Sequence, residues 1–135
     1  MIEYRKIQLE DIEIIRGLYN KFPGFRKPSH HMLPGNGMDG VVGLKDNKIV
    51  TACYTYIAAN APTCWLEWVV ADKDYKESDK YDIIIGMINY TSDILKEAGY
   101  AYIFAMTTNK QLETLYVNSG FINTETEGVE LIKTL

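Results

Sequence analysis

Cysteine is scarce in this sequence, and its placement excludes two common classes of small domain. Only Cys53 and Cys64 occur, with no CxxC spacing and no histidine beside either. A disulfide-rich scaffold or a structural zinc site requires more cysteines, or cysteine and histidine at ligand spacing. We therefore expect no metal site and two reduced, buried thiols, while a disulfide or a catalytic thiol remain open as the less favoured alternatives.

The chain also lacks a long apolar run and an excess of basic residues. Its longest apolar stretch, "YDIIIGMI", is far shorter than the roughly 20 residues of a membrane-spanning helix. The formal net charge of −4 argues against nonspecific binding to nucleic acid, which normally uses a basic surface. The first segment, "MIEYRKIQ", is polar and charged from residue 3 onward, so we expect no signal peptide, no membrane association and a cytoplasmic location.

The remaining patterns predict one α/β domain over residues 1–135. The run "VVGLKDNKIVTACYTYI" is typical of two strands joined by a turn at "KDNK", and "CWLEWVVA" is typical of a further strand. Apolar spacing predicts helices in "LEDIEIIRGLYNKF", in "SDKYDIIIGMINYTSDILKEAGY" and in "NKQLETLYVNSG". Two short strands are expected after the last helix. The predicted order is β-α-(loop)-β-β-β-α-β-α-β-β, with a mixed central sheet flanked by helices.

The stretch "NKQLETLYVNSGF" has the start and end signals of a short helix. Asn109 is suited to cap the first turn, and Gly120 to end the last one. Tyr116 follows Asn109 by seven residues, about two helical turns, so both residues lie on one side of the helix. A plain amphipathic helix with a core tyrosine is the simpler interpretation.

Together with the element order, Asn109, Tyr116, Gly120 and Phe121 resemble the closing motif of the GNAT (GCN5-related N-acetyltransferase) superfamily. The resemblance implies the GNAT-type fold, with a sheet of about six or seven strands. It also implies that acetyl-CoA is the co-substrate and that an acetyl group moves to a primary amine by direct attack in a ternary complex. Tyr116 would protonate the departing thiolate as general acid. The acceptor would be a small-molecule amine or a protein amine, and a homodimer is left open.

The family's phosphate-binding turn, R/Q-x-x-G-x-G/A, is altered in this chain. The resemblance places the turn after "VVADKDY", where Asp79 and Tyr81 occupy the two glycine positions. An aspartate near a pyrophosphate would repel it, and Lys76 and Lys80 would offset part of that repulsion. The residues expected to bind the co-substrate are Val69, Val70, Ala71, Lys76, Glu77, Ser78, Asp79, Lys80, Tyr81 and Asn109.

The loss of both glycines supports a second hypothesis, a catalytically degenerate GNAT-like protein that acts as a binding or structural module. Glycine-poor turns of this kind resemble those of bacteriophage-encoded members of the family. The intact helix with Asn109 and Tyr116 favours the enzyme instead.

A general base is expected on the strand "CWLEWVVA". Glu67 is its only carboxylate and lies between Trp65 and Trp68. Aromatic surroundings would raise the pKa of Glu67 toward neutrality, which suits proton transfer from an amine. An outward-facing strand glutamate, or a base acting through a chain of water molecules, are the alternatives.

Overall fold

Five strands and three α-helices follow one another in the computed structural model, which describes residues 1–135. The order agrees with the prediction as far as the last helix and confirms the α/β class with a mixed sheet. No helix combines the length and apolar character needed to cross a membrane. In chain order the elements are β1 Ile2–Lys6, α1 Ile12–Asn20, β2 Gly40–Lys45, β3 Lys48–Ile57, β4 Thr63–Ala71, α2 Lys80–Glu97, β5 Tyr102–Phe104 and α3 Lys110–Asn118.

The sheet has the order β1-β2-β3-β4-β5. The first four strands pair antiparallel, and β5 pairs parallel to β4 after the crossover through α2. The turn between β2 and β3 uses Asp46 and Asn47, whose φ angles are +49° and +67°. Two consecutive positive φ angles match the twist of a tight hairpin, and Asp and Asn tolerate them best after glycine. The hairpin predicted at "KDNK" is therefore confirmed.

Helices cover both faces of the sheet because alternate strand residues point to opposite sides. On β2, Val42 packs with Ile15 and Leu18 of α1, whereas its neighbour Val41 packs with Met87 of α2. The second face also contains Tyr116 of α3. The helix that carries the candidate acid, α3, is thus anchored in the hydrophobic cluster on this second face.

The two strands predicted after α3 do not form. Residues 119–135 contain no strand, so the sheet has five strands rather than six or seven. Apolar side chains of this segment remain 70–87% exposed, namely Ile122, Val129, Leu131 and Ile132. A β-forming sequence becomes a strand only where a neighbouring strand and a buried face are available, and sequence propensity reports neither.

Both cysteines are free and buried. Burial raises the pKa of Cys53 to about 11, and its thiol lies 3.6 Å from the hydroxyl of Thr91. A thiol with such a pKa is almost entirely protonated at neutral pH and therefore a poor nucleophile. The expectation of buried, unpaired thiols is confirmed.

We expect Gly40→Ala to destabilise the fold by about 2–3 kcal/mol, because added volume in a packed sheet forces the backbone to shift. A Cβ at this position would lie 2.1 Å from the carbonyl oxygen of Cys53 on β3. Gly17 in α1 is the matched control, since its Cβ would meet nothing within 4 Å. Gly17→Ala should stabilise by about 0.5–1 kcal/mol. Urea unfolding of both variants measures the difference, and equal stabilities would contradict the β2–β3 packing.

Candidate active site

β4 and β5 separate shortly after they pair. Their pairing runs from Thr63 opposite Tyr102 to Trp65 opposite Phe104. β4 then continues to Ala71, whereas β5 ends, so residues 66–71 have no strand neighbour on that side. An unpaired strand edge presents backbone N–H and C=O groups to a ligand. We call the opening between this part of β4 and the start of α3 the cleft.

A β-bulge interrupts β4 beside the cleft. Val70 pairs with Ala52 and Glu67 pairs with Tyr54, so Trp68 and Val69 both lie opposite the single residue between those partners. A bulge of this kind turns the strand and re-aims its side chains, and bulges are frequent next to active sites. The sequence has no glycine at this position that would indicate a bulge, so sequence reasoning missed the bulge.

Trp68 adopts a backbone conformation that bulky residues rarely take, with φ of +59°. Such a conformation costs on the order of 1–3 kcal/mol and persists only where its surroundings impose it. Two tyrosines hold it here: Tyr19 donates a hydrogen bond to the Trp68 carbonyl oxygen, and the Trp68 indole N–H donates to the Tyr56 hydroxyl at 2.9 Å. The strain is thus built into the strand beside Glu67.

The backbone of Val69, Val70 and Ala71 lies on the predicted ligand-binding edge, but part of it is already used. The Val70 carbonyl accepts a hydrogen bond from the Thr51 hydroxyl at 2.7 Å. The Trp68 carbonyl is likewise occupied by Tyr19. A ligand in the cleft would therefore have to use other backbone groups, such as those of Val69 and Ala71.

The altered turn, residues 76–81, leads into α2, and Asp79 immediately precedes the helix. The Asp79 carboxylate accepts hydrogen bonds from the Lys45 ammonium and from the Tyr75 hydroxyl, both at 2.7 Å. These two donors, Lys45 first, lower the pKa of Asp79. The carboxylate therefore points toward the β2–β3 hairpin. Lys45 therefore balances the negative charge of Asp79. The sequence alone predicts this role for Lys76 and Lys80 instead.

The other residues of the turn differ in exposure and contacts. The side chains of Lys76, Glu77 and Ser78 are exposed, and that of Lys80 is half-buried. Against the effect of burial, the hydrogen bond from Lys21 lowers the pKa of Asp72, with a smaller contribution from the charge of Lys80. A cavity of about 610 Å³ lies on the hairpin side of the turn, lined among others by Lys45, Lys48, Tyr75, Ser78 and Asp79. This cavity is distinct from the cleft at the β4–β5 edge.

Tyr81 and Gln111 join the first turns of α2 and α3. The Gln111 side-chain amide donates a hydrogen bond to the Tyr81 hydroxyl. Tyr81 is 43% exposed, so its ring is not part of the core. Tyr81, which the GNAT resemblance aligns with the second glycine of the phosphate-binding turn, thus contacts the helix bearing the candidate acid.

Asn109 caps α3 as predicted. Its side-chain oxygen accepts hydrogen bonds from the backbone N–H of Gln111 at 2.9 Å and of Leu112 at 3.0 Å. Two of the four free N–H groups of the helix start are thereby satisfied. The oxygen is fully used in capping, so only the exposed side-chain NH₂ group remains for a ligand.

Tyr116 is buried at 6% exposure, with its ring 5.0 Å from that of Phe121. The Tyr116 hydroxyl has no hydrogen-bond partner in the chain. Because every fully buried side-chain N or O atom has a partner, the Tyr116 oxygen is not fully buried and reaches solvent at the surface. Burial, followed by the charges of Cys53 and Glu67, raises the pKa of Tyr116. The phenol is therefore fully protonated at neutral pH.

Glu67 is half-buried on β4, next to the bulge. Burial, with a further contribution from the negative charge of Glu130, raises its pKa to about 7. The charge of Glu67 contributes, after burial and Cys53, to the raised pKa of Tyr116. β4 thus carries a carboxyl group whose pKa is raised to about 7, and α3 carries a phenol without a hydrogen-bond partner in the chain. No group of three or more His, Cys, Asp or Glu side chains is arranged to hold a metal ion.

No family model matches the chain, and no curated protein matches it. Solved structures do match. N-acetylglutamate synthase from Neisseria gonorrhoeae, complexed with coenzyme A and N-acetyl-glutamate, superposes with a TM-score of 0.71 at 13% identity. The match covers 87% of this chain but only 28% of the synthase.

Two further structures match over most of their own length. The ribosomal-protein-S18-alanine N-acetyltransferase from Escherichia coli has a TM-score of 0.71 at 14% identity, covering 89% of this chain and 77% of that one. AAC(6')-Iy, in complex with the bisubstrate analog CoA-S-monomethyl-acetylneamine, has a TM-score of 0.72 at 14% identity and 99% coverage of both chains. The chain therefore has the fold of these acetyltransferases, as the GNAT resemblance implied.

Proposed function

We propose that the protein is an acetyl-CoA-dependent N-acetyltransferase that transfers an acetyl group to a primary amine by direct attack in a ternary complex. One observation carries the proposal: Glu67, whose pKa burial raises to about 7, lies on the part of β4 that has an open edge, and α3 beside this opening carries the phenol of Tyr116. A general base is most effective when its pKa lies near the working pH, as that of Glu67 does. The acetyltransferases of the same fold support the assignment.

The reaction needs a base for the amine and an acid for the thiolate. An alkylammonium loses its proton with difficulty at neutral pH because its pKa is about 10.4. Glu67 accepts that proton, and the amine nitrogen then attacks the thioester carbonyl carbon. As the C–N bond forms and the C–S bond breaks, Tyr116 donates its proton to the thiolate. The new amide loses its excess proton, which restores Tyr116, and Glu67 returns its own proton to solvent.

Acetyl-CoA would lie along the open edge of β4 with its pyrophosphate at the start of α2. The backbone of Val69–Ala71 would hold the pantetheine arm. The N–H groups that begin α2 are suited to bind phosphate, because the first N–H groups of a helix lack partners within it. Asp79 forms an ion pair with Lys45, so the repulsion between its carboxylate and a phosphate at the start of α2 is partly offset.

A second candidate function, a binding or structural module that has lost acyl transfer, is favoured by the altered turn. Tyr81 stands at a glycine position and contacts Gln111 of α3. A side chain at this position hinders the close backbone approach that a glycine allows. A protein of this second class would not bind acetyl-CoA.

Titration with CoA separates the two functions. We expect CoA at 100 times its Kd to stabilise the protein by about 2.7 kcal/mol, which raises the Tm by several degrees. Amide NMR shifts should change in residues 69–71 and 76–81, and ADP at the same concentration, which lacks the pantetheine arm, should leave residues 69–71 unaffected. If millimolar CoA changes neither the Tm nor these resonances, the enzyme hypothesis fails and the module hypothesis stands.

A further inference from the structure

Beside Glu67, the structure contains a cation held between an aromatic ring and a carboxylate. The guanidinium of Arg26 lies over the Trp68 ring, with its Cζ 5.1 Å from the ring centroid. The same guanidinium forms an ion pair with Glu130 from the C-terminal segment. A ring face combined with a carboxylate is a binding arrangement for organic cations.

These groups belong to the same neighbourhood as the candidate base. Trp68 follows Glu67 directly in the bulged strand, so their Cα atoms are about 3.8 Å apart. The hydroxyl of Tyr56 accepts the hydrogen bond from the Trp68 indole N–H. After burial and this hydrogen bond, the charge of Glu67 raises the pKa of Tyr56 and that of Arg26 lowers it. The charge of Glu130, after burial, raises the pKa of Glu67. The ring, the two carboxylates and Arg26 therefore form one cluster.

Arg26 is held weakly enough to be replaced. Its side chain is 48% exposed and that of Glu130 is 64% exposed. Ion pairs between such exposed groups contribute little to stability, because water screens them and two flexible side chains must be ordered. A ligand cation can therefore exchange with the guanidinium at small cost.

We propose that the Trp68 ring and the Glu130 carboxylate form a cation subsite for the acceptor, which Arg26 fills in the free protein. The acceptor class is then a small diamine or polyamine: one amine lies at Glu67 for acetylation, and a second cationic amine displaces Arg26 from Trp68. This inference rests on the proposed function for the role of the first amine. The cation subsite itself requires no acetyl-CoA.

The test uses spermidine as the probe and no CoA. Binding is followed by NMR through the indole N–H resonance of Trp68, which reports on its bond to Tyr56, with Trp65→Phe used to assign it. We expect spermidine to shift this resonance and to bind at least ten-fold more tightly than propylamine, which has only one amine. Equal affinities for the two probes would overturn the use of a second charge.

Two variants with matched controls test the residues. Arg26→Ala should tighten spermidine binding several-fold because an internal competitor is removed, and Glu130→Gln should weaken it about ten-fold. The controls are Lys27→Ala and Glu127→Gln, charged neighbours in the same segments with no ion pair, and they should change the affinity by less than two-fold. Unchanged or weaker binding in Arg26→Ala would overturn the role of Arg26, and unchanged binding in Glu130→Gln would overturn that of Glu130.

The outcome is separable from the proposed function. If spermidine binds as expected but CoA does not, the cation subsite stands and the acetyltransferase proposal fails. If CoA binds and spermidine leaves Trp68 unchanged, the acetyltransferase proposal stands and the polyamine inference is wrong.

Discussion

Tyr116→Phe should lower the turnover number by about 10²–10⁴-fold while leaving the Kd for CoA nearly unchanged. This range is the usual contribution of a positioned general acid or base. The substitution retains the ring that packs against Phe121 and removes only the hydroxyl, which has no partner in the chain. Stability should therefore change by less than about 0.5 kcal/mol. Steady-state kinetics with an acceptor found in an amine screen, together with CoA titration, measures the effect.

Two further variants separate an acid from a packing residue. Tyr102→Phe is the matched control, because Tyr102 is 65% exposed on β5 and should lose no activity. Tyr116→Ala should be destabilised by about 3–5 kcal/mol, as expected for loss of a buried aromatic ring. If Tyr116→Phe turns over at the wild-type rate and only Tyr116→Ala is impaired, Tyr116 is a core residue and the catalytic assignment must be abandoned.

Glu67→Gln should lower kcat/KM by about 10²–10⁴-fold above pH 7 and abolish its main pH dependence in the neutral range. Since the pKa of Glu67 is about 7, the wild-type rate should rise with pH through this value as the carboxylate forms. Glutamine has nearly the same shape and does not titrate. A pH–rate profile from pH 5.5 to 8.5 measures the change, and an unchanged acidic limb in Glu67→Gln would assign the base elsewhere, for example to a chain of water molecules.

The same substitution should stabilise the protein at alkaline pH. The folded state raises the pKa of Glu67 from 4.5 to about 7, so folded molecules bind more protons than unfolded ones between these values. Stability therefore falls as the pH rises through this window, and the loss persists above it. After allowance for partial exposure of the side chain, Glu67→Gln should gain about 1–2 kcal/mol at pH 8 and almost nothing at pH 4. Glu127→Gln, an exposed control in the C-terminal segment with no ion pair, should gain nothing at either pH.

Local features of the candidate site could be predicted from the sequence because they depend on short-range geometry. Asn109 accepts the N–H groups of residues two and three positions later, and this requires only the backbone of one helical turn. The turn at Asp46 and Asn47 follows similarly from two residues that tolerate positive φ. The two tryptophans beside Glu67 in the sequence indicate a raised pKa for its carboxyl group, and burial does raise that pKa, whereas the role of Glu67 as a base stays a prediction.

Long-range features could not be predicted, since the residues involved are far apart in the chain. Lys45 and Asp79, which form an ion pair in the structure, are separated by 34 residues, and Arg26 and Glu130 by 104. The bulge at Trp68 is stabilised by Tyr19, which lies 49 residues earlier. Each contact requires the sheet order to be known first.

By itself the sequence determined the α/β class, the order of elements through α3, the hairpin turn and the cap of the last helix. These follow from apolar periodicity and from the conformational preferences of single residues, which act over a few positions. Only the tertiary structure decided that β4 bends at Trp68, that Asp79 points toward Lys45 and that residues 119–135 form no strand. Strain, charge pairing and strand pairing depend on which distant segments become neighbours, and that is settled only when the whole sheet is assembled.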